Sequence, residues 1–324
     1  MALVTVTDHV FADLEAERAI LAAAGHELRY EGDARTSDEV AAAVAGSDAV
    51  LNCYAPMPAE VIDVLAGCRI IARYGIGLDT VDLPAASARG ILVTNVPDYC
   101  IDEVSDHALA LLLALARGVA RLDRHVRGGA WDPKEARPLH RLRGRTLGLV
   151  GFGRIARRLA EKASAIGLQV IASDPYLSAD DIRGGGAEPR TFDELLGEAD
   201  IVSLHAPLTA ETRHVIDATA VARMRPGAIL INTSRGPLVD TEAVLDGLKS
   251  GRLAGAGLDV LESEPPELDA PLRRRPDVVV TPHAAFYSEE SMTELQRKAA
   301  EQVVIALAGE IPPYAVNADA VRTA

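Results

Sequence analysis

Three ionisable side chains in the second half of the chain stand just beyond short apolar runs: Arg235, Glu264 and His283. An imidazole exchanges protons near neutral pH, a carboxylate can hold the imidazole ring, and a guanidinium binds carboxylates through its fork of donors. Ligands of open parallel sheets lie beyond the carboxyl ends of the strands, so we expect these side chains to face one ligand. Structural roles are the alternative, because an arginine can cap carbonyl groups and a lone histidine after a strand is more often structural than catalytic.

A glycine motif of the form G-x-G-x-x-A spans residues 151–156. It directly follows the apolar run 147–150 and opens a helical pattern over 155–165, where backbone N–H groups and the helix dipole can bind a pyrophosphate. Glycine is needed there because a Cβ would block the close approach of the phosphates. The motif in this setting predicts a dinucleotide site.

An acidic residue follows the glycine motif at the spacing expected for a ribose contact. Asp174 ends the next apolar run and can accept hydrogen bonds from a ribose 2′-hydroxyl. Pro175 and Tyr176 follow it, so a 2′-phosphate would meet a negative charge without an arginine partner. The sequence therefore favours NAD over NADP.

Apolar runs of strand length alternate with Ala- and Leu-rich helical segments along the chain, a pattern typical of parallel sheets with helices on both faces. The pattern restarts near Leu147, which predicts an α/β protein of two doubly wound lobes. Because the glycine motif lies in mid-chain and a last amphipathic helix follows at 288–308, the nucleotide-binding lobe is expected to be inserted into the other. The predicted strands are 3–6, 49–51, 70–72, 91–96, 147–150, 170–172, 201–204, 228–232, 254–259 and 278–281.

The segment between the lobes has two parts. Residues 101–117 carry apolar side chains at helical spacing, a stripe that can be buried within the chain or against a second subunit. Residues 121–145 are rich in arginine and contain a glycine pair, Trp131 and two prolines. We expect an irregular excursion there, either a solvated basic loop or a dimer arm.

Composition excludes several classes of partner. A formal net charge of −14 would repel phosphate backbones and anionic lipids, so neither nucleic acid nor a membrane is an expected partner. Cys53, Cys68 and Cys100 form no spaced motif, which suits free thiols in a reducing cytosol. The start of the chain lacks the features of a signal peptide, and no apolar run reaches the ~20 residues that span a bilayer. A cytoplasmic globular protein is expected.

The remaining histidines give no sign of a metal site. His107, His125, His140, His205 and His214 share no metal-ligand spacing, so no metal is predicted. We expect His107 on a helix surface and His205 beside the cofactor.

The motifs, in their order, resemble those of the D-isomer-specific 2-hydroxyacid dehydrogenase family. The resemblance covers nearly the whole chain, is strongest over 144–291, and rests on segments 151–156, 205–209, 232–236, 257–265 and 281–285. Segments 174–178, 262–265 and 283–288 are most similar to the C-terminal-binding-protein-like branch. Phe286 departs from that branch, whose eukaryotic members have tryptophan there, and this leaves their substrate preference open for this chain.

The resemblance implies a Rossmann NAD-binding domain, residues 99–287, inserted into a flavodoxin-like substrate domain, residues 1–98 and 288–324. It implies hydride transfer between NADH and a 2-keto acid to give a (2R)-hydroxy acid, and also a homodimer. His283 would be the general acid or base, Glu264 would hold its ring, and Arg235 would bind the substrate carboxylate and carbonyl. Matching cofactor positions are Gly151, Gly153, Arg154, Ile155, Asp174, His205, Ala206, Pro207, Thr212, Thr233, Ser234, Asp259, Ala285 and Val104.

The substrate positions implied by the resemblance are Arg73, Tyr74, Gly75, Ile76, Gly77 and Phe286. Backbone N–H groups of the loop 73–77 would hold a carboxylate, and Arg73 would add a positive charge. Tyr74, Met57 and Phe286 are expected to line an apolar pocket for the rest of the substrate.

Three other functions are weighed against this one. An NADH-sensing corepressor of the related branch would keep the same residues but show little turnover. Formate dehydrogenase is disfavoured because formate oxidation moves no hydroxyl proton and does not need an acid–base pair. Phosphite dehydrogenase would need a lysine in the substrate loop 73–77. The lysines of this chain, Lys134, Lys162, Lys249 and Lys298, all lie elsewhere, so this function is disfavoured.

Overall fold

The computed structural model of the chain describes residues 1–268 and 270–323. The chain divides into two compact units, the first formed by Met1–Cys100 with Tyr287–Ala324 and the second by Ile101–Phe286. Each unit contains one parallel sheet, five-stranded in the first and seven-stranded in the second. The prediction of two α/β lobes built on parallel sheets is therefore confirmed.

The strands of both sheets are short and their side chains are mostly buried. In chain order they are β1 Leu3–Val6, β2 Glu27–Arg29, β3 Ala49–Asn52, β4 Ile70–Arg73, β5 Leu92–Thr94, β6 Thr146–Val150, β7 Gln169–Ser173, β8 Glu188–Pro189, β9 Ile201–Leu204, β10 Ala228–Asn232, β11 Leu253–Leu258 and β12 Val278–Val280.

At least one helix lies between each pair of successive strands. They are α1 Glu15–Ala23, α2 Ser37–Val44, α3 Ala59–Asp63, α4 Leu83–Ala88, α5 Ile101–Ala116, α6 Val119–Arg127, α7 Arg154–Ala165, α8 Ala179–Gly184, α9 Phe192–Glu198, α10 Ala218–Arg223, α11 Thr241–Ser250, α12 Pro271–Arg274, α13 Glu289–Leu307 and α14 Ala318–Thr323. Single 3-10 turns occur at Pro133–Ala136 and Gly236–Leu238. No helix within the described residues is both long and apolar enough to cross a membrane.

The first unit has the strand order β2-β1-β3-β4-β5, which is the flavodoxin-like order of a doubly wound sheet. Strands β3, β4 and β5 are buried along their whole length, which is why they read as continuous apolar runs. Helix α13, near the end of the chain, packs against helix α1 and strand β4 of this unit. The end of the chain therefore completes the layer that the first hundred residues begin.

The second unit has the order β12-β11-β10-β9-β6-β7-β8. Six of these strands, in the spatial order β8-β7-β6-β9-β10-β11, have the strand order of the dinucleotide-binding fold. Strand β12 extends the sheet beyond β11. The order reverses between β6 and β9, which are hydrogen-bonded neighbours. In open sheets ligands bind at such a reversal, outside the carboxyl ends of the strands.

Helix α5 carries the apolar stripe that the sequence shows between the lobes. Val104, Ala108, Leu111 and Leu112 are buried within the second unit, where α5 packs on α7, β10 and β11. A Cβ at Gly257 would lie 3.0 Å from Leu111 Cβ, so the absence of a side chain there lets the helix approach the sheet. The stripe is therefore explained by packing within one chain and gives no support for a subunit contact.

The arginine-rich segment after α5 is more regular than expected. The irregular excursion predicted for 121–145 is wrong at its start, because α6 is helical through Arg127 and a 3-10 turn follows at Pro133–Ala136. Arginine is a good helix former, and the valine and leucine residues of α6 lie on one face of an amphipathic helix. No residue of α6, which is described throughout, is buried, and Val119, Val126 and Trp131 are exposed.

Candidate active site

The carboxyl ends of β10, β11 and β12 carry the three side chains that the sequence singles out. The strands are neighbours in the sheet and run parallel. Arg235 follows β10, Glu264 lies in the loop after β11, and His283 follows β12. The fold thus brings three distant segments of the chain to one edge of one sheet.

The imidazole of His283 is paired with a carboxylate. His283 Nδ1 lies 2.7 Å from Glu264 Oε2, and Glu264 Oε1 accepts a hydrogen bond of 2.9 Å from the Leu261 N–H. The two side chains are 25% and 35% exposed, so a ligand can reach them. With Nδ1 bonded to the carboxylate, proton exchange with a ligand falls to Nε2. A histidine oriented in this way is suited to general acid or base chemistry.

The backbone at His283 is held in an unusual conformation. Its φ of +52° lies in the left-handed region, which residues other than glycine seldom adopt. Asp259, 2% exposed, stabilises the turn: its carbonyl accepts from the His283 N–H, and its carboxylate accepts from the N–H groups of Ala284 and Ala285 at 2.9 Å each. Asp259 therefore fixes the loop that carries His283. Its predicted contact with the cofactor stays a prediction.

His107 belongs to this network, and its expected place on a helix surface is wrong. Its Nε2 lies 2.9 Å from Thr281 Oγ1 and 3.5 Å from Asp259 Oδ1, and its side chain is 25% exposed. The Thr281 hydroxyl donates to Asp259 Oδ1 at 2.6 Å. The reason is the packing of α5 against β12, which turns this face of the helix towards the sheet.

The loop that carries Arg235 is packed directly on the loop that carries Glu264. The Asn232 side chain donates to the Arg235 carbonyl at 2.8 Å, and Arg235 Nη1 donates to the Ser234 carbonyl at 2.8 Å. A Cβ at Gly236 would lie 1.9 Å from the Leu261 carbonyl oxygen, so only glycine fits at this contact. The two loops therefore have fixed relative positions.

The glycine motif forms a tight turn between β6 and α7. Gly151 has φ +83°, and a Cβ there would lie 2.7 Å from the Ala206 nitrogen, so the backbone of the turn touches the segment that follows β9. A Cβ at Gly153 would meet no described atom within 4 Å, so protein packing does not require glycine at this position. Room for a phosphate is the remaining physical reason for it.

The first turn of α7 is suited to an anion. Arg154 and Ile155 lie in this turn, and among the described residues no side chain caps it. Its N–H groups can therefore bind phosphate oxygens, and the helix dipole favours negative charge there. The turn and the helix start fit the dinucleotide that the sequence predicts.

Asp174 directly follows β7 and lies beside the glycine turn. Its Oδ2 accepts from the Phe152 N–H and its Oδ1 from the Tyr176 N–H, both at 2.9 Å. The carboxylate is thereby fixed and keeps lone pairs for a ligand hydroxyl. Its distance from the turn is set by these bonds, as a ribose contact requires.

The segment after β9 supplies further predicted cofactor positions. Burial lowers the pKa of His205 to about 4, so its imidazole is neutral at pH 7, and its Nε2 lies 2.9 Å from Ser203 Oγ. The Ser234 hydroxyl donates to the Ala206 carbonyl at 2.7 Å, and the Thr212 hydroxyl donates to the Pro207 carbonyl at 2.6 Å. These bonds shape the backbone of the segment.

Thr233 differs from its neighbours because its hydroxyl is buried without a partner. The residue is 8% exposed, and no described atom hydrogen-bonds to its Oγ1. Buried polar groups are nearly always paired, so this hydroxyl fits a contact that a ligand would supply. Val104 and Ala285, also predicted cofactor contacts, are buried at 7% and 5% exposure.

In the first unit, Arg73 ends β4 as a buried cation. It is 6% exposed, its Nε has no hydrogen-bond partner among the described residues, and its guanidinium lies 5.9 Å from the Tyr54 ring centroid. A Cβ at Gly75, where φ is +133°, would lie 1.9 Å from Arg73 Nη1. Only glycine therefore lets the loop fold over the guanidinium. The following residues, Ile76 and Gly77, are partly exposed.

A buried acid, Glu17, is hydrogen-bonded to this loop through Tyr74. Tyr74, 2% exposed, donates its hydroxyl to Glu17 Oε1 at 2.9 Å, and Gln296 Nε2 donates to Glu17 Oε2 at 3.0 Å. Burial raises the pKa of Glu17, although the hydrogen bonds from Tyr74 and Gln296 act in the opposite direction. Tyr74 and Met57 are buried in the core of this unit, and their predicted place in the substrate pocket stays a prediction. Phe286 is partly exposed, with its ring 6.1 Å from that of His283.

Two supporting acids escape the sequence reasoning. Glu262 stands in an acidic stretch that reads as solvated, yet it is hydrogen-bonded at both oxygens. Glu17 had a visible signal, because it lies at helical spacing between the apolar residues Leu14 and Leu21, on the stripe that becomes buried. Among the described residues, no group of histidine, cysteine or acidic side chains could hold a metal ion.

Comparison with known proteins gives one family. Residues 109–285 match the family described as D-isomer specific 2-hydroxyacid dehydrogenase, NAD binding domain. This match makes the second unit an NAD-binding domain, in agreement with the glycine turn and Asp174.

Relatives of known name span different lengths of this chain. It is 43% identical over 271 residues to the glyoxylate reductase of Korarchaeum cryptofilum, covering 82% of this chain and 81% of that protein. It is 42% identical over 295 residues to the D-3-phosphoglycerate dehydrogenase of Mycobacterium leprae, covering 90% of this chain. The match covers only 55% of that longer protein. Among solved structures, the TT0316 protein of Thermus thermophilus has a TM-score of 0.88 and 37% identity, covering 97% of this chain and 99% of that one.

Proposed function

Because the chain belongs to the D-isomer specific 2-hydroxyacid dehydrogenase family, we propose that it is an NAD-dependent oxidoreductase. It transfers hydride between NADH and a small 2-keto acid, and the product is a (2R)-hydroxy acid. The observation that carries the proposal is the 2.7 Å contact between His283 Nδ1 and Glu264 Oε2 at the edge of the nucleotide-binding sheet. NAD supplies the hydride carrier when bound, and the protein supplies orientation, charge and the proton.

The reduction needs one proton for each hydride, and His283 is the group to deliver it. As the carbonyl carbon accepts hydride, the carbonyl oxygen takes a proton from His283 Nε2, and the reverse reaction returns it. Glu264 holds the ring through Nδ1 and so fixes the direction of Nε2. Arg235, on the adjoining loop, binds the substrate carboxylate and polarises the keto oxygen as negative charge develops there.

The loop 73–77 of the first unit is proposed to bind the substrate carboxylate. A guanidinium that is 6% exposed and has no described partner at Nε is costly for the protein alone, and a bound anion offsets that cost. The backbone N–H groups of Gly75, Ile76 and Gly77 add further donors. We propose accordingly that the first unit is the substrate domain, for which the sequence predicted residues 1–98 and 288–324.

The proposed substrate class follows from this chemistry and from two relatives. One relative of similar length is named a glyoxylate reductase, and the longer one is named a D-3-phosphoglycerate dehydrogenase. Both names fit a hydroxyl and keto pair beside a carboxylate. The narrower assignment to the C-terminal-binding-protein-like branch stays a prediction, and no observation favours the alternative of an NADH sensor with little turnover.

A homodimer in the cytoplasm completes the proposal. The exposed valines and Trp131 on and after α6 give the second unit an uncovered apolar surface, which suits contact with a second copy. The cysteines Cys53, Cys68 and Cys100 are free and buried, as in a reducing compartment. Light scattering at micromolar concentration tests the dimer, and a monomeric mass contradicts it.

The experiment that tests the function is a substrate screen. Purified protein is mixed with NADH and a panel of 2-keto acids that includes glyoxylate, hydroxypyruvate and pyruvate. The product of each active chiral pair is analysed for configuration. We expect NADH oxidation with at least one small keto acid and a (2R) product. Tight NADH binding without turnover on the whole panel contradicts the proposal and favours a sensor.

A further inference from the structure

A second histidine–carboxylate pair lies two residues along the chain from the first. Glu262 Oε1 lies 2.6 Å from His214 Nε2, and Glu262 Oε2 accepts hydrogen bonds from the Thr241 N–H at 3.0 Å and from the Thr241 hydroxyl. The Glu262 side chain is 29% exposed and that of His214 is 37% exposed. Three donors thus converge on one carboxylate beside the candidate catalytic pair.

The partners of Glu262 come from two other loops of the candidate site. Thr241 begins α11 and ends the segment that follows Arg235. His214 ends the predicted cofactor segment, and its N–H donates to the Pro237 carbonyl at 2.8 Å. Glu262 therefore joins the loop of Glu264 to the segments on either side of it.

Leu261 links the backbone at Glu262 to the carboxylate of Glu264. Leu261 donates its N–H to Glu264 Oε1, and its carbonyl touches Gly236 so closely that a Cβ there would lie 1.9 Å away. Any shift of the backbone at Glu262 therefore moves Leu261, and with it the carboxylate that holds His283. Within the described residues 260–268, Glu262 and Glu264 are the acids whose side chains hydrogen-bond outside the loop.

Electrostatics keep Glu262 in place at neutral pH. Burial alone would raise its pKa, but the hydrogen bonds from Thr241 and His214 outweigh it, so the pKa is lowered. The carboxylate also sits at the N-terminal turn of α11, where the helix dipole favours a negative charge. It is ionised under the conditions in which the enzyme would work.

We infer that Glu262 is a positioning residue for the Glu264–His283 pair. It ties the Glu264 loop to α11 and to His214, and so holds Glu264 where it can orient the imidazole. Its effect on turnover rests on the proposed function, in which His283 moves the proton. Its effect on the geometry of the pair does not.

The kinetic test uses a double-mutant cycle. Glu262→Ala should lower kcat by about 10- to 100-fold while the Kd of NADH changes less than about twofold, because a misplaced general acid costs rate and not cofactor affinity. In the background of Glu264→Gln, the same change should cost almost nothing further, because the group it positions is already altered. Glu262→Gln should recover most of the rate, since its amide can accept from Thr241 and donate to His214. Glu267→Ala, an exposed acid of the same segment, is the matched control and should leave kcat unchanged.

A second readout needs no turnover. In protein labelled with 15N-histidine, the proton shared between His283 Nδ1 and Glu264 should give a downfield resonance, assigned by its loss in His283→Asn. Glu262→Ala should abolish or broaden this resonance, and Glu262→Gln should retain it. If Glu262→Ala does not fold, Thr241→Val, which removes one donor, takes its place in both measurements.

The outcomes separate the two levels of the account. A resonance unchanged in Glu262→Ala, or losses in kcat that add in full to those of Glu264→Gln, overturns the positioning role. If the wild-type protein turns over no keto acid, the proposed function fails and the resonance alone decides the positioning role.

Discussion

The carboxyl edges of the two sheets treat charge in opposite ways. At the edge of the seven-stranded sheet, His283 is paired with Glu264, and His214 with Glu262. At the edge of the five-stranded sheet, Arg73 is buried to 6% exposure, and its Nε has no partner among the described residues. At the first edge both histidines have carboxylate partners, and at the second edge Arg73 Nε has no partner among the described residues; we call these the paired and the unpaired edge.

This difference matches two different tasks. A proton donor must be held in one orientation through both protonation states, which internal partners achieve. An anion-binding site gains from a cation that the protein has not neutralised, because the ligand then supplies the missing partner. We therefore expect changes at the paired edge to alter kcat, and changes at the unpaired edge to alter substrate affinity and apo-protein stability.

The largest effect should come from the histidine of the paired edge. His283→Asn should lower kcat by about 10²- to 10⁴-fold, because that is the contribution of general acid–base catalysis. The Kd of NADH, measured by fluorescence titration, should change little. His140→Asn, at an exposed histidine, is the control. Turnover near the wild-type level in His283→Asn would remove this residue from the mechanism.

At the unpaired edge, one substitution of Arg73 should lower kcat/KM and raise the melting temperature. Arg73→Met should lower kcat/KM by roughly 10- to 100-fold, because a charge-assisted hydrogen bond is lost. It should also raise the melting temperature of the apo protein, since an unbalanced buried charge is replaced by a side chain of similar length that suits the core. Arg35→Met, at an arginine whose side chain is 83% exposed, should change neither quantity. A lower melting temperature in Arg73→Met would contradict the contrast between the edges.

The nucleotide site offers a smaller effect. Asp174→Ala should weaken NAD binding by roughly 10-fold, because one charged acceptor is lost, and should narrow the preference for NAD over NADP. Isothermal titration with both cofactors measures the ratio. Asp180→Ala, whose carboxylate is 95% exposed, should leave the ratio unchanged. The same ratio in Asp174→Ala as in the wild type would show that Asp174 does not select the cofactor.

The smallest effect concerns the buried acid beneath the unpaired edge. Burial raises the pKa of Glu17 above that of the unfolded chain, so its contribution to stability is present at low pH and is lost as the pH rises through the folded pKa. Glu17→Gln removes the charge and keeps one acceptor oxygen for the Tyr74 hydroxyl. It should therefore raise the free energy of unfolding at pH 8 by more than at pH 5, as measured by urea unfolding. An equal change at both pH values would mean that Glu17 keeps an ordinary pKa.

Periodicity predicted most of the fold because the strands are buried on both faces. It missed β2 and β8, which are only three and two residues long, too short for an apolar run to stand out. It also misjudged α6, where the many arginines concealed an amphipathic helix. Because no residue of α6 is buried, the sequence alone does not show which surface its apolar face contacts.

The candidate site was likewise predicted only in part from the sequence. Arg235, Glu264 and His283 could be found because strand ends and their spacing identify them. Glu262, Asp259 as a loop scaffold, and the partners of His107 depend on which loops touch, and a single sequence does not reveal such long-range contacts. That Arg73 Nε has no partner among the described residues is equally a result of packing.

Isotope transfer tests directly whether the protein moves hydride from NADH to C2 of a keto acid with the help of His283. The protein is incubated with hydroxypyruvate and NADH deuterated at the transferred position of C4, and the hydroxy acid is examined by mass spectrometry and chiral chromatography. We expect one deuterium at C2 of the (2R) product, and almost no product from His283→Asn although this variant binds the same NADH. NADH oxidation without deuterium at C2, or equal labelling by His283→Asn, would contradict it.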